Sequence, residues 1–321
     1  MKSLRFLAVL ALSLAILPAA QAQPFPTKPI KIVVPFPPGG AVDSLARMVG
    51  TKLTESLGHP TVIDNRPGAG GTIGSEVVAK SPGDGYTLLM GSTSSLSVAP
   101  NLQKVPYDPV RDFSPITLVA FVPHVLVINA QTPANNLAEF IAYAKSRPGQ
   151  LNFASVGNGT PHHIAGEMFK QMAGVNLIHV PYKGTAPALT DLVAGHVTMM
   201  SVELASALPF IKAGKLKALG VATPQRVPLA PELPTISEAG VPGFEVTSWY
   251  GVVGPAGIPP EVSRLLAATI SKAVAAPDMR EKLAGMGAFP VGGTPEDFGV
   301  FMKKEYAKWA KAIKDSGATV N

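Results

Sequence analysis

Apolar and polar positions alternate along this chain in two periods. Ile30–Val34 is an apolar, mostly β-branched run that predicts a buried strand. It halts at Pro35, and Pro37-Pro38-Gly39-Gly40 suits neither strand nor helix. The spacing of Val42, Leu45, Ala46 and Val49 then predicts a helix to Leu57 with one apolar face. Strand, glycine loop and helix together aim free backbone N–H groups and a positive helix end at one point, where an anion can sit. A plain strand-to-helix connection uses the same residues, so this segment alone decides nothing.

The same alternation continues. Strands are expected at 61–64, 87–90, 125–128, 151–154, 178–180, 198–202, 218–222 and 247–253. Helices are expected at 71–80, 136–147, 161–173, 186–194, 261–275, 277–285 and 295–316, with 91–97 a polar loop. Such order predicts parallel α/β sheets with helices on both faces. Two helix-free stretches, 118–127 (interrupted by Pro123) and 246–254, mark the seams. They divide the chain into lobe 1 (24–121 plus 248–321) and lobe 2 (122–247), with a cleft and hinge between.

Residues 1–22 have the form of a secretory signal: Lys2 and Arg5, the apolar stretch Phe6–Leu17, then Ala20-Gln21-Ala22. The stretch is too short to span a bilayer, so cleavage before Gln23 and a periplasmic protein are expected. Removing Lys2 and Arg5 takes the net charge from +6 to +4. That charge, without basic runs, gives no reason to expect a nucleic-acid partner. The chain has no cysteine, so an exported form must rely on its hydrophobic core.

Four predicted strand-end loops share one chemistry: 37–43, 91–95 (GSTSS), 155–160 (SVGNGT) and 183–186 (KGTA). They are rich in Gly, Ser and Thr, and Lys183 is their single cation. Ligands of open α/β sheets bind at such strand ends. Thr160-Pro161 reads as an N-cap and first helical residue, and Thr185-Ala186-Pro187 as a similar start. Asp43, in the first turn of its helix, is as well placed to cap N–H groups as to meet a ligand.

Four segments carry a resemblance: PIKIVVPFPPGGAVDSLAR, NRPGAGGTIGSEVVAKSPGDGYTLL, VPYKGTAPALTDLVAGHV and PTISEAGVPGFEVTSWYGVVGPAGIPP. In order and spacing they resemble the Bug-type receptors of the tripartite tricarboxylate transporter family. The resemblance implies a two-lobed periplasmic binding-protein fold of the class with two crossover strands. It also implies a carboxylate ligand held by backbone N–H groups, hydroxyls and waters, a monomer, and permease subunits in the membrane as partners. Carried onto this sequence, the ligand-facing positions are Phe36, Pro38, Gly39, Gly40, Ala41 and Asp43; Ser92 and Thr93; Gly157, Asn158, Gly159 and Thr160; and Gly184, Thr185 and Ala186. Glu203 stands near where the family usually carries Asp or a shorter polar residue.

Other signals are weaker. Gly68–Gly74 lacks the third glycine of a dinucleotide fingerprint. His162-His163, with Glu167 four residues after His163, can place two ligands on one helix face, but no third ligand has zinc-like spacing, so neither metal nor cofactor is expected. No G-x-S-x-G elbow is present. The leading expectation is a periplasmic binding protein that captures a small carboxylate and is not an enzyme. A receptor signalling to a sensor kinase and an exported α/β enzyme acting on an organic acid are the alternatives.

Overall fold

A computed structural model describes residues 25–319, so the predicted signal segment lies outside the described residues. β1 (Ile30–Val34) pairs in parallel with β2 (Thr61–Asn65) and β3 (Thr87–Ser92). Helix α1 (Ala41–Leu57) buries Val42, Leu45, Ala46, Val49 and Leu53 against them, the face its periodicity marks. A short 3-10 turn, Ala69–Gly71, opens α2 (Thr72–Ala79).

The predicted loop 91–97 is instead the end of β3 and a π-helical turn, Ser94–Val98, which runs into α3 (Ala99–Leu102). Its serines are buried, and local hydrogen bonds stand in for water: the Ser92 N–H donates to Ser95 Oγ, and Tyr107 Oη donates to the Ser95 carbonyl.

β4 runs from Phe113 to Asn129 as one strand, through both Pro115 and Pro123. Its first part pairs antiparallel with β9 (Thr247–Pro255), with register shifts beside Pro115 and Leu118. Its last part, from His124 on, pairs with β7 (Met199–Glu203) and β8 (Leu216–Val221). Pro123 faces Thr247, where the strand leaves one ladder for the next and a missing N–H does least harm.

The second sheet adds β5 (Leu151–Ser155), parallel to both β6 (Leu177–Pro181) and β7. Helices α4 (Leu137–Lys145), α5 (Pro161–Ala173), α6 (Thr185–Ala194) and α7 (Leu204–Lys212) accompany it. Both sheets are therefore mixed, where the alternation predicts parallel ones. Strands that carry the chain between lobes must run against the parallel set.

The chain ends with α8 (Pro260–Ala275), α9 (Pro277–Gly285), β10 (Phe289–Gly292), which pairs with β4, and α10 (Pro295–Ser316). Phe298 and Met302 of α10 pack in the core around Trp249 and Val253. Trp309 and Ile313, further along, pack in the other core with Leu126, Phe169 and Phe244. The fold is two lobes joined through β4 and β9, with a cleft between them. Among the described residues no helix is long and apolar enough to cross a membrane.

Candidate ligand cleft

The first loop is held by Asp43. Its Oδ2 accepts the Gly39 N–H at 3.0 Å and Arg47 Nε at 2.9 Å. Its Oδ1 accepts Asn65 Nδ2 at 2.9 Å and Arg47 Nη2 at 3.1 Å. Gly39 takes φ +87, which favours glycine, and the acid at the third helical position ties this turn to the helix start. Asn65 also donates to the Phe36 carbonyl. With four donors on its oxygens, the buried Asp43 acts on the loop from behind. Pro38, Gly39 and Gly40 are exposed, and Phe36 and Ala41 half-buried.

Burial opposes charge on Asp43, but bonds from Arg47, Gly39 and Asn65 outweigh it and bring its pKa to about 2, against 3.8 ordinarily. A lowered carboxylate pKa contributes stability above the unfolded value and loses it as pH falls toward the folded one. Wild type should therefore lose up to about 2 kcal/mol more than Asp43→Asn between pH 5 and about 2. Urea midpoints at both pH values check this; parallel losses would show that the carboxylate is not held this way.

Next to this loop, a Cβ placed on Gly71 (φ +95) would stand 2.9 Å from Ser95 Cβ and 3.2 Å from the Phe36 ring. One placed on Gly70 would be 3.7 Å from the Gly159 carbonyl, so turns of the two lobes face each other here without side chains between them. Ser95 lies in the predicted loop 91–95 and Gly70 and Gly71 in the discounted segment 68–74, and none of the three is among the expected ligand-facing positions. The three glycines at 68, 70 and 71, all at positive φ, were the available signal. Ser92 and Thr93 are buried, and Thr93 Oγ1 accepts the Trp249 N–H at 2.7 Å, locking β9 to this turn. Trp249 is buried against Phe298 and Phe301 and serves as core.

In the second lobe Thr160 is the N-cap residue of α5, yet its hydroxyl makes no capping bond and donates to the Gly157 carbonyl at 2.7 Å. The Gly157 N–H donates to Ser155 Oγ at 3.1 Å, and Ser155 Oγ meets His179 Nε2 at 2.7 Å. His179 stacks on His163, with ring centroids 4.2 Å apart, and the Gly159 N–H points to His163 Nδ1. Loop 155–160 thus closes on itself and rests on two imidazoles. A cavity of about 430 Å³ opens behind it, lined by His163, His179, Lys170 and Glu167; of the predicted ligand positions, Asn158 alone borders it.

The last loop differs from its predicted form. Gly184 (φ +133) is the N-cap and Thr185 already the first helical residue, so Thr185 does not cap α6. Among the described residues Thr185 Oγ1 makes no hydrogen bond. Lys183 is exposed.

Glu203 closes β7 and faces imidazoles: His162 Nε2 lies 3.1 Å from Oε2, and His124 Nε2 lies 3.9 Å from Oε1. His124 is fully buried, its Nε2 2.9 Å from Ser248 Oγ and its Nδ1 3.3 Å from Ser201 Oγ. Burial pushes its pKa down to about 3, against the Glu203 charge that raises it. The two histidines paired in sequence, 162 and 163, point to different neighbours. The sequence reading missed His124, whose signal is a lone titratable residue inside the apolar run 116–128.

Similarity to known proteins follows the same lines. The R. palustris protein Rpa4515 with adipate has a TM-score of 0.85 and 39% identity, covering 92% of this chain and 99% of that one. The periplasmic binding protein BugD follows at 0.81 and 36%, covering 92% and 99%. MatC of Rhodopseudomonas palustris with bound malate gives 0.82 and 34%, covering 90% and 100%. A family model described as the tripartite tricarboxylate transporter family receptor matches residues 45–318. This chain therefore belongs to that receptor family and is a Bug-type solute-binding protein.

Proposed function

We propose that the protein is exported as a mature chain from Gln23, captures a small carboxylate in its cleft without changing it, and delivers it to membrane subunits of a tripartite transporter. The observation that carries this reading is the approach of glycine-rich turns from both lobes, where Gly70, next to the Gly71–Phe36 contact, faces the Gly159 carbonyl. Such loops offer backbone N–H groups and hydroxyls to an anion, and Lys183 is their one cation. The adipate and malate bound by the two R. palustris proteins, both dicarboxylates, support the ligand class.

In this reading the carboxylate meets the backbone of 36–41, Ser92 and Thr93, the turn 157–160, and Gly184, Thr185 and Ala186. Asp43 holds the first of these in shape, and Glu203 lies at the cleft floor. The lobes, 24–121 plus 248–321 and 122–247, close about the Pro123–Thr247 pair, and α10 spans both.

Calorimetric titration with malate and adipate tests the site. Wild type should bind at least one of them. Thr185→Val should weaken binding about 10- to 150-fold, the loss of one neutral donor to a charged ligand, roughly 1.5–3 kcal/mol. Lys183→Ala should change it less than about threefold, as expected of an exposed charge. Abolished binding in Lys183→Ala with normal binding in Thr185→Val would replace this model with an ion pair.

A further inference from the structure

We propose that His124, His162 and Glu203 form a binding site for a divalent transition-metal cation of the zinc class, set where the two lobes join. One ligand atom from each lies within 4.8 Å of the others. Ligands about 2.0–2.2 Å from a four-coordinate cation stand about 3.4 Å from one another. His162 Nε2 stands 3.1 Å from Glu203 Oε2 and His124 Nε2 3.9 Å from Oε1, one shorter and one longer than that spacing, so a shift of the carboxylate and the rings draws the three onto one centre.

The chemistry of the donors points the same way. Two imidazoles and one carboxylate suit zinc, cobalt or nickel and disfavour magnesium and calcium, which take oxygen ligands. Glu203 is mostly buried, and among the described residues no lysine or arginine pairs with it. A buried carboxylate with two imidazoles beside it and no lysine or arginine lacks a fixed compensating charge, which a divalent cation supplies. His124 Nδ1 already meets Ser201 Oγ, an outer partner of the kind that orients metal-bound imidazoles. His124 Nε2 also lies 2.9 Å from Ser248 Oγ, a hydrogen bond that a bound cation would replace at that nitrogen. His162 presents Nε2 to the carboxylate already, while its Nδ1 is buried without a partner.

The three ligands come from three elements that meet at the crossing: His124 follows Pro123 on β4, Glu203 ends β7, and His162 lies in the first turn of α5. A bound cation would cross-link them beside β9 at Ser248.

The test uses the untagged mature chain, stripped of metal with a chelator and titrated with Zn²⁺ in the absence of any carboxylate. One Zn²⁺ per chain should bind with a micromolar Kd or tighter, and Mg²⁺ and Ca²⁺ at least about 100-fold more weakly. Co²⁺ should give the intense visible absorption of a four-coordinate centre. Glu203→Gln and His162→Gln should each weaken Zn²⁺ at least about 100-fold while keeping the metal-free circular dichroism and midpoint of wild type. Failure of wild type to bind Zn²⁺ would overturn the proposal. So would tight binding that survives in both variants, which would place the metal elsewhere, for example on the exposed His196 beside Asp191.

Discussion

Replacing Trp309 with alanine is expected to destabilise the protein by about 3–5 kcal/mol, the transfer loss of a buried indole plus the cavity it leaves. Trp309 is 1% exposed and sits in the second-lobe core, although its helix starts in the first lobe beside Phe298. Its indole N–H donates to Glu305 Oε2 at 3.0 Å, and Lys308 reaches both Glu305 and Glu245. Trp309→Phe should keep part of the packing but still cost about 1.5–3 kcal/mol, because a buried carboxylate loses a donor. Trp249 supplies the contrast: it is equally buried, but its Nε1 has no partner. Trp249→Phe should therefore cost less than Trp309→Phe. Denaturant unfolding of the four proteins (wild type and three variants) decides the matter; equal losses for the two Phe variants would show that the Glu305 bond contributes nothing.

Acidification should strike at His179. Burial pushes its pKa down to about 4, helped by positive charge from His163 and Lys170. An imidazole ordinarily near 6.5 is then protonated in the unfolded chain before the folded one. Its contribution is full above about pH 6.5 and falls away as pH drops toward 4, by up to about 3 kcal/mol. Wild type should therefore lose up to about 3 kcal/mol more than His179→Gln over this range. Ligand affinity should fall with it, because Ser155 Oγ links His179 to the Gly157 N–H and so to loop 155–160. Urea midpoints and malate or adipate titrations at both pH values check it; identical pH slopes in the two proteins would sink the assignment. Glu167 and Asn158 border the same cavity and are unchanged in the comparison.

What the sequence determined by itself was whatever depends on neighbours along the chain. The 3.6-residue spacing of Val42, Leu45 and Val49 places α1 on its buried face. Proline at the start and glycine past the end delimit α5 and α10 at Pro161–Ala173 and Pro295–Ser316. The four family segments, spread between residues 29 and 260, carry the resemblance to the receptor family. The tertiary structure decided what depends on distant partners. Local rules read Pro123 as an interruption, but β4 passes through it because β9 on one side and β7 and β8 on the other carry the ladder. The serines after β3 look like a solvent loop and are buried because Tyr107 and their own hydroxyls satisfy the backbone. Asp43 has Gly39 and Arg47 as local donors, but the donor that links it to the neighbouring strand is Asn65, 22 residues on. His124 and Glu203, far apart in sequence, meet because β4 and β7 pair in register at the crossing between lobes, and α5 brings His162 to the same place.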